Sequence, residues 1–148
     1  MEDGRPTVPY WHLWTDAHGV SRQRRCAMTE FELKSIKPPA DPQWLGNGTT
    51  GRMSVLVTVQ PVGWIGTWHE NPKPQWIVPL SGHWFVEAMD GTRAEMGPGE
   101  ISFGGDQNCR EVGGKRGHRS GTLGDVPAVL MVIQFDDAPV PRSPCEFR

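Results

Sequence analysis

The sequence has no apolar run that approaches the roughly 18 residues needed to span a bilayer, and its net charge is only −2. Acidic and basic residues are nearly balanced in number, which argues against a dedicated nucleic-acid surface. The N-terminus lacks a basic start followed by an apolar stretch, so no secretory signal is predicted. We therefore expect a cytoplasmic protein with no nucleic-acid partner and no membrane association.

Cysteine is scarce, and its distribution excludes the common cysteine motifs. Cys26, Cys109 and Cys145 lie far apart and show no CxxC spacing. An odd, scattered set is more typical of reduced thiols in a cytosolic protein than of a disulfide framework or a zinc site. The sequence therefore predicts reduced thiols.

Glycine and proline are abundant, with 18 Gly and 14 Pro in 148 residues, against 36% hydrophobic residues. They interrupt the chain too often for long helices, and no long helical pattern or internal repeat is visible. The length suits one domain with a modest core. These features favour an all-β domain of short strands joined by turns.

Alternation and turn residues predict where the strands lie. Residues 1–45 are interpreted as a polar N-terminal arm with short strands, 46–136 as a barrel, and 137–148 as an extended tail containing Pro139, Pro141 and Pro144. Pro79 falls inside a predicted strand and indicates a bulge or a sheet edge there. The predicted strands are Tyr10–Trp14, Thr29–Ile36, Met53–Val59, Trp64–Glu70, Gln75–Leu80, His83–Met89, Thr92–Met96, Ile101–Phe103 and Ala128–Phe135.

One stretch carries a recognisable spacing. Gly63 is followed by five residues and His69, Asn71 stands two positions later, Gln75 follows after three residues, and Gly82 after six more. This pattern resembles the first motif of the cupin superfamily, with Asn and Gln at positions where cupins have His and Glu. Gly99-Glu100 resembles the start of the second motif.

The second motif departs further from the family pattern. Its His position would fall near Arg110, and His118, eight residues further on, is the candidate replacement. The resemblance covers residues 52 to 135. It implies a single-domain cupin-like β-barrel, that is, a double-stranded β-helix or jelly roll.

Strand alternation predicts which side chains would line the interior of such a barrel. Two imidazoles and two amides converging in an apolar cavity are typical of a small-molecule site. Besides His118, the expected lining residues are Ile65, Thr67, His69 and Asn71 from one strand, and Gln75 and Ile77 from the next.

The ligand set determines what chemistry is expected. Cupins hold a divalent metal with imidazoles and a carboxylate, whereas Asn71 and Gln75 are neutral amides, which are weak ligands. We therefore expect no cofactor. The alternative is an Fe, Mn, Ni or Zn ion held by His69, Gln75 and His118.

Without a metal, His69 and His118 form a candidate catalytic acid/base pair. Asn71 and Gln75 are expected to hold a carbonyl oxygen of the substrate, and Arg119 to attract an acidic group. The predicted function is a lyase, isomerase or cyclase of specialised metabolism acting on a hydrophobic, polyketide-like or acidic molecule. The alternatives are a metal-dependent oxygenase or hydrolase and a non-catalytic ligand-binding cupin. A homodimer formed through the N-terminal arm is also predicted.

Overall fold

The computed structural model of the protein describes residues 4–137 and 143–148, and these residues are all-β. No helix within them is long and apolar enough to cross a membrane. The strands in chain order are β1 (Val8–Thr15), β2 (Ser21–Met28), β3 (Phe31–Lys34), β4 (Gln43–Gly46), β5 (Met53–Gln60), β6 (Gln75–Ser81), β7 (His83–Ala88), β8 (Arg93–Met96), β9 (Ile101–Gly105), β10 (His118–Leu123) and β11 (Ala128–Phe135).

These strands form three sheets. The main sheet has six strands in the order β2-β1-β9-β6-β11-β5. Its neighbours are antiparallel except for β1 and β9, which are parallel. A three-stranded sheet has the order β10-β7-β8, and β3 pairs with β4 in a separate hairpin.

The main core lies between the six-stranded and three-stranded sheets. It combines alternate side chains of β6 and β11 with those of β7 and β8, as period-2 alternation requires when one face of a strand is buried. Its buried members are Leu13, Ile77, Trp84, Val86, Ala88, Ala94, Met96, Ala128, Leu130 and Val132.

A second cluster covers part of the opposite face of the main sheet. Tyr10, Trp76 and Phe103 are buried there, and Phe147 of the C-terminal segment packs on all three rings, at centroid distances of 6.0 Å for Tyr10, 5.0 Å for Trp76 and 4.6 Å for Phe103. The Tyr10 hydroxyl donates to the Phe147 carbonyl and accepts from the Phe147 amide. The C-terminal segment therefore acts as a cover for this face.

The same segment is held covalently, which corrects the prediction of reduced thiols. Cys26 on β2 and Cys145 form a disulfide, with Cα atoms 5.2 Å apart across a sequence separation of 119 residues. Cys109 is a free, buried thiol. Folding brings Cys26 and Cys145 together from distant positions, so the spacing of the cysteines in the sequence does not predict that they pair.

The predicted strands are largely present, but β2, β4 and β10 fall outside the predicted ranges and one predicted strand is absent. Ser21–Met28, interpreted as part of an irregular lead-in, is the edge strand β2, with Ser21 and Gln23 buried on one side. The predicted strand Trp64–Glu70 is not a strand, since only Ile65 and His69 form isolated bridges to β10.

Val8–Thr15 of the predicted N-terminal arm, which form β1, are integral to the main sheet. β1 lies between β2 and β9, so both its edges are paired. Of the predicted extended tail, residues 138–142, which include Pro139 and Pro141, lie outside the described residues. The bulge or sheet edge predicted from Pro79 corresponds to an irregular pairing, because the register between β6 and β11 shifts between Val129, opposite Ser81, and Leu130, opposite Pro79.

We expect the disulfide to make a large contribution to stability. Replacing Cys145 with Ser should lower the free energy of unfolding by about 2–5 kcal/mol, because the crosslink restricts the unfolded chain. Urea titration of the oxidised protein and of Cys145→Ser measures this difference. Reductant should destabilise the wild type and leave Cys26→Ser/Cys145→Ser unchanged, and equal stability of all forms would contradict the expectation.

Buried His12 should make stability fall in mild acid. Its Nδ1 accepts a hydrogen bond from the Cys145 amide, and burial lowers its pKa to about 4. The unfolded chain, with a His pKa near 6.5, binds the proton first, so stability is full above that pH and is lost as the pH falls towards 4. The loss should reach about 3 kcal/mol.

Urea titrations at pH 7.5 and 4.5 test this expectation. The pH-dependent loss should shrink in His12→Gln and persist in His18→Gln, because His18 is exposed. An identical pH dependence of His12→Gln and wild type would show that His12 does not contribute.

Candidate active site

The polar side chains of the site meet at one end of the two-sheet core. Asp106 directly follows β9, His118 begins β10, and Gln75 begins β6. Asn71 lies in the connection that leads into β6. The pairing of β6 with β9, which places Gln75 opposite Gly104, brings these strand ends together.

Asp106 is the centre of the cluster and is fully buried. Its Oδ1 accepts hydrogen bonds from the backbone N and the Nδ2 of Asn71, at 2.9 and 2.8 Å. Its Oδ2 lies 2.7 Å from Nδ1 of His118. Burial raises the pKa of Asp106, but the neighbouring His118 and the hydrogen bonds from Asn71 outweigh burial and lower the pKa overall.

His69 and His118 lie side by side. Their backbones exchange two hydrogen bonds of 2.9 Å, which form an isolated antiparallel bridge. Their ring centroids are 4.7 Å apart, and Nδ1 of His69 contacts the Thr67 carbonyl at 2.7 Å. His69 is exposed and His118 is only 5% exposed, so one imidazole faces solvent and the other lies beneath it.

A chain of amides leads from the main sheet to the carboxylate. Gln134 Nε2 donates to Gln75 Oε1 at 2.8 Å, and Gln75 Nε2 donates to Asn71 Oδ1 at 2.5 Å. Asn71 Nδ2 then donates to Asp106. Each amide donates towards Asp106, so the chain fixes the orientation of Asn71, whose two donors hold the carboxylate in place.

Two glycines make the close packing of the cluster feasible. A Cβ atom at Gly104 would collide with the amide of Asn71, and a Cβ at Gly117 would collide with the backbone of His69 and Glu70. Gly117 also has a φ of 79°, in the left-handed region that favours glycine. The lack of a side chain at Gly104 makes room for the Asn71 amide. The lack of one at Gly117 lets its backbone pass close to that of His69 and Glu70.

The loop after β9 is secured by Cys109. Its amide donates to Glu70 Oε1 at 2.8 Å, and its thiol donates to the Asp106 carbonyl at 3.1 Å. Burial raises the pKa of the Cys109 thiol, which keeps the thiol in its protonated, donating form. Cys109 thus supports the backbone of Asp106.

The structure brings together four of the predicted site residues, namely His69, Asn71, Gln75 and His118. Ile65 is 62% exposed, and Ile77 is buried in the core. Thr67 contributes its carbonyl to His69. The predicted common face of Ile65, Thr67, His69 and Asn71 is absent because their segment is not a strand.

Arg119 does not point towards the imidazoles. It follows His118 on β10, and alternation directs it to the other face of the strand. There it donates to Glu87 at 2.7 Å, with its guanidinium 5.8 Å from the centroid of the Trp68 ring. The prediction that Arg119 attracts an acidic substrate group at this site therefore lacks geometric support.

Two atoms of the predicted metal ligands already have partners. Gln75 Oε1 accepts from Gln134, and Nδ1 of His118 contacts Asp106, which leaves Nε2 as the other ring nitrogen of His118. Metal binding by His69, Gln75 and His118 stays a prediction. Across the described part of the chain, no group of three or more His, Cys, Asp or Glu side chains could hold a metal ion.

Asp106 is the site residue that sequence reasoning missed. It falls in the polar loop after β9, where motif spacing assigns no ligand. The sequence around Asp106 gives no signal of this role, because its burial and its partners Asn71 and His118 are set by the fold.

Comparison with known proteins adds no assignment. No family model matches the chain, and no curated protein matches it at a significant level.

Replacing Asp106 with Asn should move the ring hydrogen of His118 from Nδ1 to Nε2. Asn71 donates to the oxygen nearest to it, so the amide introduced at position 106 would present its NH2 group to Nδ1 of His118. Nδ1 would then become an acceptor, and the proton would move to Nε2.

Nitrogen-15 NMR of the histidine rings measures this change directly. Wild type should show His118 with its proton on Nδ1, and Asp106→Asn should show it on Nε2. The signals of His18 and His83, both outside the site, serve as internal controls. The same His118 tautomer in both proteins would refute this role of Asp106.

Proposed function

We propose that the protein is a small-molecule enzyme that uses His118 and His69 for non-redox acid/base chemistry, as a lyase, isomerase or cyclase. The observation that carries the proposal is the 2.7 Å contact between Nδ1 of His118 and the buried carboxylate of Asp106, directly beneath the exposed ring of His69. As part of this proposal, the six-stranded and three-stranded sheets form a cupin-like barrel, and the site lies at one end of it.

His118 is the proposed base. With Asp106 accepting the proton on Nδ1, the free lone pair lies on Nε2, where it can remove a proton from a bound substrate. The negative charge of Asp106 stabilises the imidazolium that results. Asp106 does not touch the substrate in this scheme and is a positioning residue.

His69 is the proposed proton donor. Its ring lies against that of His118 but faces solvent, so it can exchange protons with water and deliver one to the substrate. Two adjacent imidazoles of unequal exposure therefore offer removal of a proton at one position and delivery at another. This is the requirement for isomerisation, cyclisation and elimination.

The amides have a supporting role and do not bind a carbonyl oxygen of the substrate. Asn71 Nδ2 donates to Asp106, the Gln75 amide donates to Asn71, and both side chains are buried, with exposures of 4% and 7%. The role expected for them from the cupin-like spacing is thereby revised. They hold Asp106, which in turn orients His118.

Exchange of a carbon-bound hydrogen tests the proposed base without knowledge of the natural substrate. A panel of hydrophobic 1,3-dicarbonyl compounds in D2O is incubated with the protein, and loss of the α-hydrogen signal is followed by NMR. Wild type should accelerate exchange, and His118→Gln should reduce the protein-dependent rate by about 10²–10⁴-fold. Asp106→Asn should lower it as well, because Nε2 then carries a proton.

The matched control is His83→Gln, which removes an imidazole elsewhere and should leave the rate unchanged. Exchange that is absent in wild type, or undiminished in His69→Gln/His118→Gln, would overturn the proposal. Nitrogen-15 spectra of the same samples separate loss of the base from loss of the fold.

A further inference from the structure

The exposed hydrophobic residues of the protein are concentrated in one short segment. Fourteen large hydrophobic side chains are exposed among the described residues, and eight of them fall between positions 53 and 65. These eight are Met53, Val55, Leu56, Val57, Val59, Val62, Trp64 and Ile65. We call the segment of residues 53–65 the apolar edge.

The apolar edge includes a strand with an unpaired side. β5 is the last strand of the main sheet, and among the described strands it pairs with β11 alone. Its other side presents alternating backbone N–H and C=O groups, which form a template for another strand. Val55, Val57 and Val59 project from one face of β5 and are 55–58% exposed.

The apolar edge carries no charged residue of its own. Residues 53 to 68 contain no Asp, Glu, Lys, Arg or His. The opposite edge of the same sheet, β2, carries the exposed residues Arg22, Arg24 and Arg25. Charged side chains on an edge strand are a common means of preventing unwanted strand pairing. The β2 edge has this protection and the β5 edge lacks it.

We propose that β5 pairs antiparallel with β5 of a second copy of this chain, joining the two main sheets into one continuous sheet. The sequence of the strand is self-complementary about Leu56. With Leu56 opposite Leu56 of the partner subunit, Val55 lies opposite the partner's Val57, and Met53 opposite the partner's Val59. Ser54 then lies opposite the partner's Thr58.

In this register, the side chains that lie opposite each other are chemically matched on both faces of the sheet. Residues directly opposite each other in an antiparallel pair point to the same face, and apolar or hydroxyl pairs stabilise the contact. No like charges meet anywhere along the pair, because the strand has none. Val62, Trp64 and Ile65 extend the apolar surface beyond the strand, as required for an interface larger than a single strand edge.

The proposed pairing also limits the assembly to a closed dimer. A two-fold contact uses the same surface on both copies, so it consumes both β5 edges and leaves the arginine-bearing β2 edges at the two ends of the joined sheet. The assembly therefore ends at two copies. A homodimer formed in this way uses β5, on the opposite edge of the sheet from the predicted N-terminal arm.

Light scattering coupled to size-exclusion chromatography tests the proposal on the full chain. Wild type should have twice the mass of one chain. Val55→Glu/Val57→Glu and Val55→Lys/Val57→Lys should each be monomeric, with the dissociation constant raised at least about 100-fold by opposed like charges. Leu33→Lys, which alters an equally exposed residue on β3, should remain dimeric.

Mixing the two charged variants tests the register. Because position 55 faces the partner's position 57, the Glu variant and the Lys variant should combine into a heterodimer and restore the mass of two chains. A monomeric wild type, dimeric charged variants, or no association on mixing would overturn the proposal. Occupation of β5 by an unrelated polypeptide instead of a second copy would overturn it as well.

A second measurement covers the case in which a charged variant fails to fold. Hydrogen exchange of the β5 amides in wild type should slow as protein concentration rises, whereas exchange in β2 should not change. Concentration-independent exchange in β5 would refute pairing of this strand.

Discussion

The buried carboxylate of Asp106 constrains this part of the structure because its charge must be paired and hydrogen-bonded. A charge with no exposure to solvent is stable inside a protein only when it is paired and fully hydrogen-bonded. Two donors from Asn71 and one from His118 meet that demand, and they come from segments far apart in the chain. Satisfying Asp106 therefore fixes where β6, β9 and β10 begin and end relative to one another.

The hydrogen bonds that hold Asp106 make one side of the site rigid, whereas the other side is exposed to solvent. The amide chain that starts at Gln134 leaves Asn71 a single orientation, and Gly104 allows it to approach the backbone. His69, in contrast, lies above this network with its ring in solvent. A fixed imidazole beneath a solvent-exposed one is an arrangement suited to moving protons, and it is the basis of the proposed acid/base chemistry.

Local patterns predicted most of the strands but not the site as a whole. Alternation and turn residues located β11 at its observed bounds, and Pro79 indicated the irregular pairing of β6. The spacing of His69, Asn71 and Gln75 selected residues that meet in space. Asp106 and the Cys26–Cys145 pair escaped prediction, because both depend on contacts between distant segments.

The disulfide turns most of the chain into a closed covalent ring. Residues 26 to 145 lie within it, including every strand from β3 to β11 and all the residues of the candidate site. A single cut in an exposed turn, such as that at Gly113-Gly114, would therefore leave both pieces attached to each other until the disulfide is reduced. For a protease, one cleavage opens the ring but releases no fragment of it.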